Sequence, residues 1–132
     1  MPSRRKLVHV ERIPIRWGDM DAMRHVNNTV YFRYMEQARI SWLDTLIPRE
    51  QAWKTMGTVI ASASCNFKRA INYPGTVEVQ VYVGEPGGSS VPTFYELTIG
   101  GALYADGAAT LVFIDMARQK PVRIPPAIRE RL

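Results

Sequence analysis

What this chain of 132 residues lacks narrows the field before any motif is read. A single cysteine, Cys65, excludes an internal disulfide framework and fits a reducing compartment. Two histidines, with no His-Glu-x-x-His and no Cys-x-x-Cys, leave no metal-ligand spacing, and no cofactor is expected. A Gly-x-Ser-x-Gly elbow and a glycine-rich phosphate loop after a strand are both missing. No apolar run approaches the ~20 residues that a membrane helix needs. The basic N-terminal residues are not followed by the apolar stretch of a signal peptide. A cytoplasmic protein without a membrane span is the expectation.

What is present suits one domain over residues 1–132, with 46% hydrophobic residues and a core that needs no staples. The net charge of +5 is concentrated near the ends, in Arg4-Arg5-Lys6 and in Arg118, Lys120, Arg123, Arg129 and Arg131. No basic run is interleaved with aromatics, so a nucleic-acid partner is not expected and the excess reads as solvated termini.

Patterning predicts an α+β order. Residues 7–16 read as a strand whose Pro14 marks an edge or a bulge, with His9 on the surface and unpaired. From Thr29 to Leu46 the period becomes helical, with Tyr31, Tyr34, Met35, Ala38, Trp42 and Leu46 on one stripe. Asn27, Asn28 or Thr29 would cap this helix, and Pro48 would end it. Residues 49–57 read as a short connection or helical turn. Period two returns at Thr58, placing Ala61, Ala63, Cys65 and Phe67 on one face. Further strands are expected at Thr76–Val83, Thr93–Ile99 and Ala102–Met116, with a bulge at Gly107 and a basic, proline-containing tail after Ala117. A stripe as long as this helix carries must be covered, and a curved antiparallel sheet covers it most economically.

Chemistry concentrates between the first strand and the helix, where Asp19, Asp21, His25, Asn27 and Asn28 fall within ten residues. A helix start presents unpaired N–H groups and about half a positive charge. Aimed at a carbonyl oxygen, such donors stabilise an oxyanion, and losing one typically costs ~2.7–4 kcal/mol. The N–H groups of Asn27 to Thr29 are the candidates. A neighbouring carboxylate can attack a carbonyl or activate water. So modest an apparatus suits a thioester, whose departing thiol, with a pKa near ~8.5, needs little protonic help. Cys65 reads as a small buried side chain rather than a nucleophile.

Asp21-Ala-Met-Arg-His25-Val-Asn-Asn28-Thr-Val-Tyr31, followed by Tyr34-Met-Glu-Gln-Ala-Arg39, resembles the signature of the 4-hydroxybenzoyl-CoA thioesterase family of hotdog-fold acyl-CoA thioesterases. The likeness runs on through Asn66–Gly75 and Thr110–Asp115. It implies a hotdog fold, a long central helix wrapped by a five-stranded antiparallel sheet. Paired subunits, as a homodimer or a dimer-of-dimers tetramer, would form each site at their interface. It also implies hydrolysis of an acyl-CoA, or of an acyl carrier protein thioester, to the free acid. By motif position Asp21 is the nucleophile or general base, with Asp19 the competing carboxylate that braces the turn. Asn28 would polarise the thioester carbonyl through its backbone N–H. His25, Asn27 and Tyr31 would position water, the cap or the acyl group. Two departures stand out: Arg24 replaces a small residue, and the Gly84–Ser90 loop lacks a basic cluster for the CoA nucleotide. Lys68, Arg69 or a neighbouring subunit's arginines are left as candidates for the phosphate contacts. The rival readings are a hotdog hydratase or dehydratase, and a non-catalytic acyl-thioester binder.

Overall fold

The computed structural model describes residues 5–46 and 54–132. Strand β1 (Lys6–Pro14) leads through one 3₁₀ turn (Trp17–Asp19) to helix α1 (Asn28–Leu43). Four strands follow: β2 (Met56–Phe67), β3 (Thr76–Val83), β4 (Ser90–Ile99) and β5 (Ala102–Asp115). A two-residue strand β6 (Lys120–Pro121) and a short helix α2 (Pro126–Arg129) close the described chain. The pairing is antiparallel throughout, in the order β1-β3-β4-β5-β2, with β6 on the end of β5. The expected five strands are therefore six among the described residues. A two-residue strand carries no period that a sequence pattern can display.

α1 begins where Asn27 accepts hydrogen bonds on Oδ1 from the Thr29 N–H (2.9 Å) and the Thr29 hydroxyl (2.7 Å). The expected stripe is buried: Tyr31, Tyr34, Met35, Ala38 and Trp42, with Leu43 and Leu46 at the far end. Its first half packs on Val77, Val79, Val81, Tyr95 and Leu97. Trp42, Leu43 and Leu46 join Val83, Leu111 and Phe113 in a second cluster. The helix expected to run to Leu46 ends at Leu43, with residues 44–46 in a turn, and Pro48 lies outside the described residues. Most of the 49–57 connection also lies outside them, and its last two residues, Met56 and Gly57, open β2.

Three expectations need correction. Gly107 is not a bulge; the β5 register runs evenly past it, and the shifts fall at Ile60/Ser62 and Leu97/Thr98. The glycine is there because a Cβ would lie 2.4 Å from Met35 Sδ and 2.9 Å from the Ser64 carbonyl. The tail is not a solvated end either. Ile124, Ile128 and Leu132 enter the second cluster, and Arg131 donates to the Thr45 carbonyl (2.7 Å) beyond the end of α1. His9, lastly, is paired: its Nε2 lies 2.7 Å from Glu11 Oε1, two residues along one face of β1.

Candidate active site

The segment between the 3₁₀ turn and α1 is a closed loop. The Asp21 N–H donates to the His25 carbonyl (3.0 Å), the Arg24 N–H donates to the Asp21 carbonyl (3.0 Å), and Met20 bridges Val26. Arg24 takes φ +65°, the left-handed region, to close it. The loop is anchored below by the Val26 N–H on the Ile71 carbonyl (2.8 Å). Asp21 stands at its head, exposed, with Oδ1 accepting the Met23 N–H (2.9 Å) and Oδ2 accepting Asn27 Nδ2 (3.3 Å). One amide thus does two jobs. Asn27 Oδ1 caps α1 while Nδ2 holds the Asp21 carboxylate beside the helix start.

The two carboxylates are separated by their surroundings. Asp19 is buried at 8% exposure and accepts the Arg16 N–H (2.9 Å) and the Tyr34 hydroxyl (2.8 Å), with Arg16 Nε at 3.5 Å. Every contact it makes is internal, and it braces the turn. Burial, and then the bond to Asp19, push the Tyr34 hydroxyl well above its ordinary pKa.

Of the three backbone donors anticipated at the helix start, two are occupied. The Asn27 N–H donates to the Asp19 carbonyl (3.0 Å) and the Thr29 N–H to its own cap (2.9 Å). The Asn28 N–H has no partner among the described residues. An open bay of about 660 Å³ adjoins Asp21, lined also by Trp17, Met20, Ala22, Arg24, Asn72 and Tyr73. Trp17, in the bay's lining, is 73% exposed, and Met23, on the same loop as Asp21, is 77% exposed.

The remaining anticipated residues lie close by in different settings. His25 is exposed, with Nδ1 2.8 Å from the Asn72 side chain. Tyr31 is buried; its hydroxyl donates to the Arg69 carbonyl (3.2 Å) and accepts the Ile71 N–H (3.2 Å), so it ties segment 69–71 to the helix. Arg69 is exposed with its guanidinium over the Tyr104 ring at 4.5 Å, and Lys68 Nζ lies 3.5 Å from Asp106. Cys65 opposes Gly107, and burial pushes its thiol up to about 11. That is the setting of an inert thiol. Asn72 was not anticipated; its place in a turn sequence concealed a side chain that reaches back 47 residues to His25. Among the described residues no group of side chains could hold a metal ion, and no helix is long and apolar enough to cross a membrane.

Residues 15–132 match the thioesterase-like superfamily, a stretch that holds the loop, α1 and every strand but β1. The chain belongs to that superfamily. Relatives named as thioesterases support a thioester hydrolase. The chain is 25% identical to the long-chain acyl-CoA thioesterase FadM of Escherichia coli, over 92% of this chain and 94% of that protein. It is 30% identical to the YsmA protein of Bacillus subtilis, over 64% of this chain but only 56% of that protein. Among solved structures, the PA2801 protein of Pseudomonas aeruginosa superposes with a TM-score of 0.88 at 34% identity, covering 95% of this chain and 98% of that one. A Thermus thermophilus thioesterase complexed with coenzyme A and zinc gives 0.83 at 31% identity, covering 95% and 91%. The hotdog thioesterase fold is thereby shown.

Proposed function

We propose that the chain hydrolyses an acyl-CoA thioester to the free acid and CoA, with Asp21 as nucleophile or general base and the Asn28 N–H as oxyanion donor. One observation carries the reading: the Asn27 amide fastens an exposed carboxylate that lines a bay to the start of α1, where the N–H of the following residue, Asn28, has no partner among the described residues. The carbonyl oxygen would point at Asn28, where the helix end favours developing negative charge. Asp21 then attacks the carbonyl carbon and the thiolate leaves, giving a mixed anhydride that water cleaves to the free acid and the regenerated carboxylate. Alternatively, Asp21 takes a proton from the water that attacks, and gives it up as the thiolate leaves. Asp21 accepts one bond on each oxygen, and lone pairs remain for either role. The apolar lining of the bay suits the acyl group, and Arg24 and Arg69 offer charge to the CoA phosphates.

The site is half of a larger one in this reading. β2 ends the sheet order, and its outer edge pairs with no other strand among the described residues, beside exposed Val59, Ile60 and Phe67. Phe32 and Ile40 extend that apolar strip onto α1. A second copy paired along this edge would bury the strip, giving a homodimer from which a tetramer can be built.

The test is a panel of acyl-CoAs followed by release of free thiol, with Asp21→Asn alongside. The variant should retain acyl-CoA binding by calorimetry and lose ~10²–10⁴-fold in turnover, the usual scale for a positioned acid or base. Equal rates in variant and parent would end the proposal. Tight binding without thiol release would favour the non-catalytic binder, and loss of enoyl absorbance the hydratase.

A further inference from the structure

We propose that Asn72 fixes the tautomer of His25, so that Nδ1 accepts a hydrogen bond from the Asn72 amide and Nε2 carries the ring's hydrogen. The consequence for chemistry rests on the reading of Asp21 and Asn28 as the reacting pair. Which end of an asparagine amide is nitrogen is decided by its partners, because the two ends have the same shape. The end of Asn72 nearest His25 lies 2.9 Å from the Ile71 carbonyl oxygen, 3.2 Å from the Arg24 carbonyl oxygen and 2.8 Å from His25 Nδ1. Carbonyls only accept. An amide oxygen there would face two other oxygens, whereas the NH₂ group meets acceptors on every side. A donor 2.8 Å from Nδ1 requires a lone pair on that nitrogen, and a neutral imidazole then holds its hydrogen on Nε2.

The frame around this contact is stiff. The Ile71 carbonyl also accepts the Val26 N–H (2.8 Å), and the Ile71 N–H donates to the Tyr31 hydroxyl (3.2 Å). Segment 69–72 is therefore held to both the loop and the helix, and the amide cannot turn over without losing a carbonyl partner. Asn72 itself lines the bay beside Asp21.

The tautomer assigns roles. An exposed ring with hydrogen on Nε2 offers substrate a donor, so His25 can bond the thioester oxygen or the attacking water but cannot take water's proton through that atom. Proton removal, or direct attack, is left to Asp21. Asn72 is a positioning residue that acts through His25.

Long-range ¹⁵N–¹H NMR correlation of the full chain tests this without turnover. In the parent at neutral to mildly alkaline pH, His25 should show a protonated Nε2 and an unprotonated Nδ1. Asn72→Asp places an acceptor at the same point and should move a hydrogen onto Nδ1. With backbone amide spectra superimposable on the parent, kcat for acyl-CoA should then fall on the order of 10-fold or more, with KM nearly unchanged. Asn72→Ala should give mixed tautomers and a smaller loss. Hydrogen on Nδ1 in the parent overturns the assignment. So does a full kcat in Asn72→Asp once the hydrogen has moved. A chain that releases no thiol from any acyl-CoA would instead defeat the thioesterase reading, and the parent spectrum would still decide the tautomer.

Discussion

Asn27 has the most concentrated role of any side chain, because a single planar amide serves both the helix and the carboxylate. Asn27→Ala removes the cap, at about 1 kcal/mol, which should lower Tm by a few degrees. It also frees Asp21, so turnover should fall further than the modest stability loss explains; kcat measured well below Tm separates the two effects. Asn27→Ser should recover the cap and the Tm but not the turnover, because its hydroxyl cannot bond Thr29 and Asp21 together as the amide does. Cys65 makes a contrasting case. Its thiol is held protonated up to about 11 against an ordinary value of 9.0, so iodoacetamide should label it slowly in the native protein, and Cys65→Ala should keep full turnover. The same shift has a sign in stability. The fold keeps this proton while the unfolded chain gives it up, so the contribution is whole below about pH 9 and lost as pH rises towards 11. The buried Tyr31 and Tyr34 hydroxyls, also shifted upward, add to that loss, and Tm measured across this range should fall on the alkaline side. Asp21 and Asn28 could be singled out as candidates because they lie in one short run of polar residues before a helix. Asn72 was not, since its partner is 47 residues distant and only folding brings the two together. The His9–Glu11 pair was within reach of the sequence, as alternation puts residues i and i+2 on one face of a strand.

α1 and the five long strands could be read from period, most clearly α1, β3 and β4, each of which buries one face. The strand Thr76–Val83 was found to the residue. β6 and α2 could not be: one is too short to show alternation, and the other is a single turn opened by Pro125-Pro126. β2 shows a different limit. Its alternation of apolar and polar residues does not become alternation of burial, because the strand lies at the sheet edge and exposes most of both faces. Gly107 was misread for lack of its neighbour on α1. Gly107→Ala should destabilise by roughly 1–3 kcal/mol, the usual cost of overfilling a close contact. In a double-mutant cycle by chemical denaturation, Gly107→Ala should cost less in a Met35→Ala background but still cost something, since the Ser64 carbonyl is backbone and remains 2.9 Å from the new Cβ.

At the scale of the whole molecule, the open β2 edge and its apolar strip argue for association. Sedimentation equilibrium should give an integral multiple of the 15.0 kDa chain mass, two or four. Phe67→Glu with Ile40→Glu should drive the mass towards one chain, and thiol release should fall in parallel if the second copy completes the bay. A single chain at full activity would remove that part of the proposal. The seat of Met35 has a further consequence. Its buried sulfur lies over Gly107, where even a hydrogen-for-methyl exchange would collide, and a sulfoxide must place an oxygen on that same atom. Peroxide can therefore reach it only when the helix lifts from the sheet, and the lesion once made would hinder reclosure. The rate at which Met35 is oxidised becomes a clock for how often the protein opens.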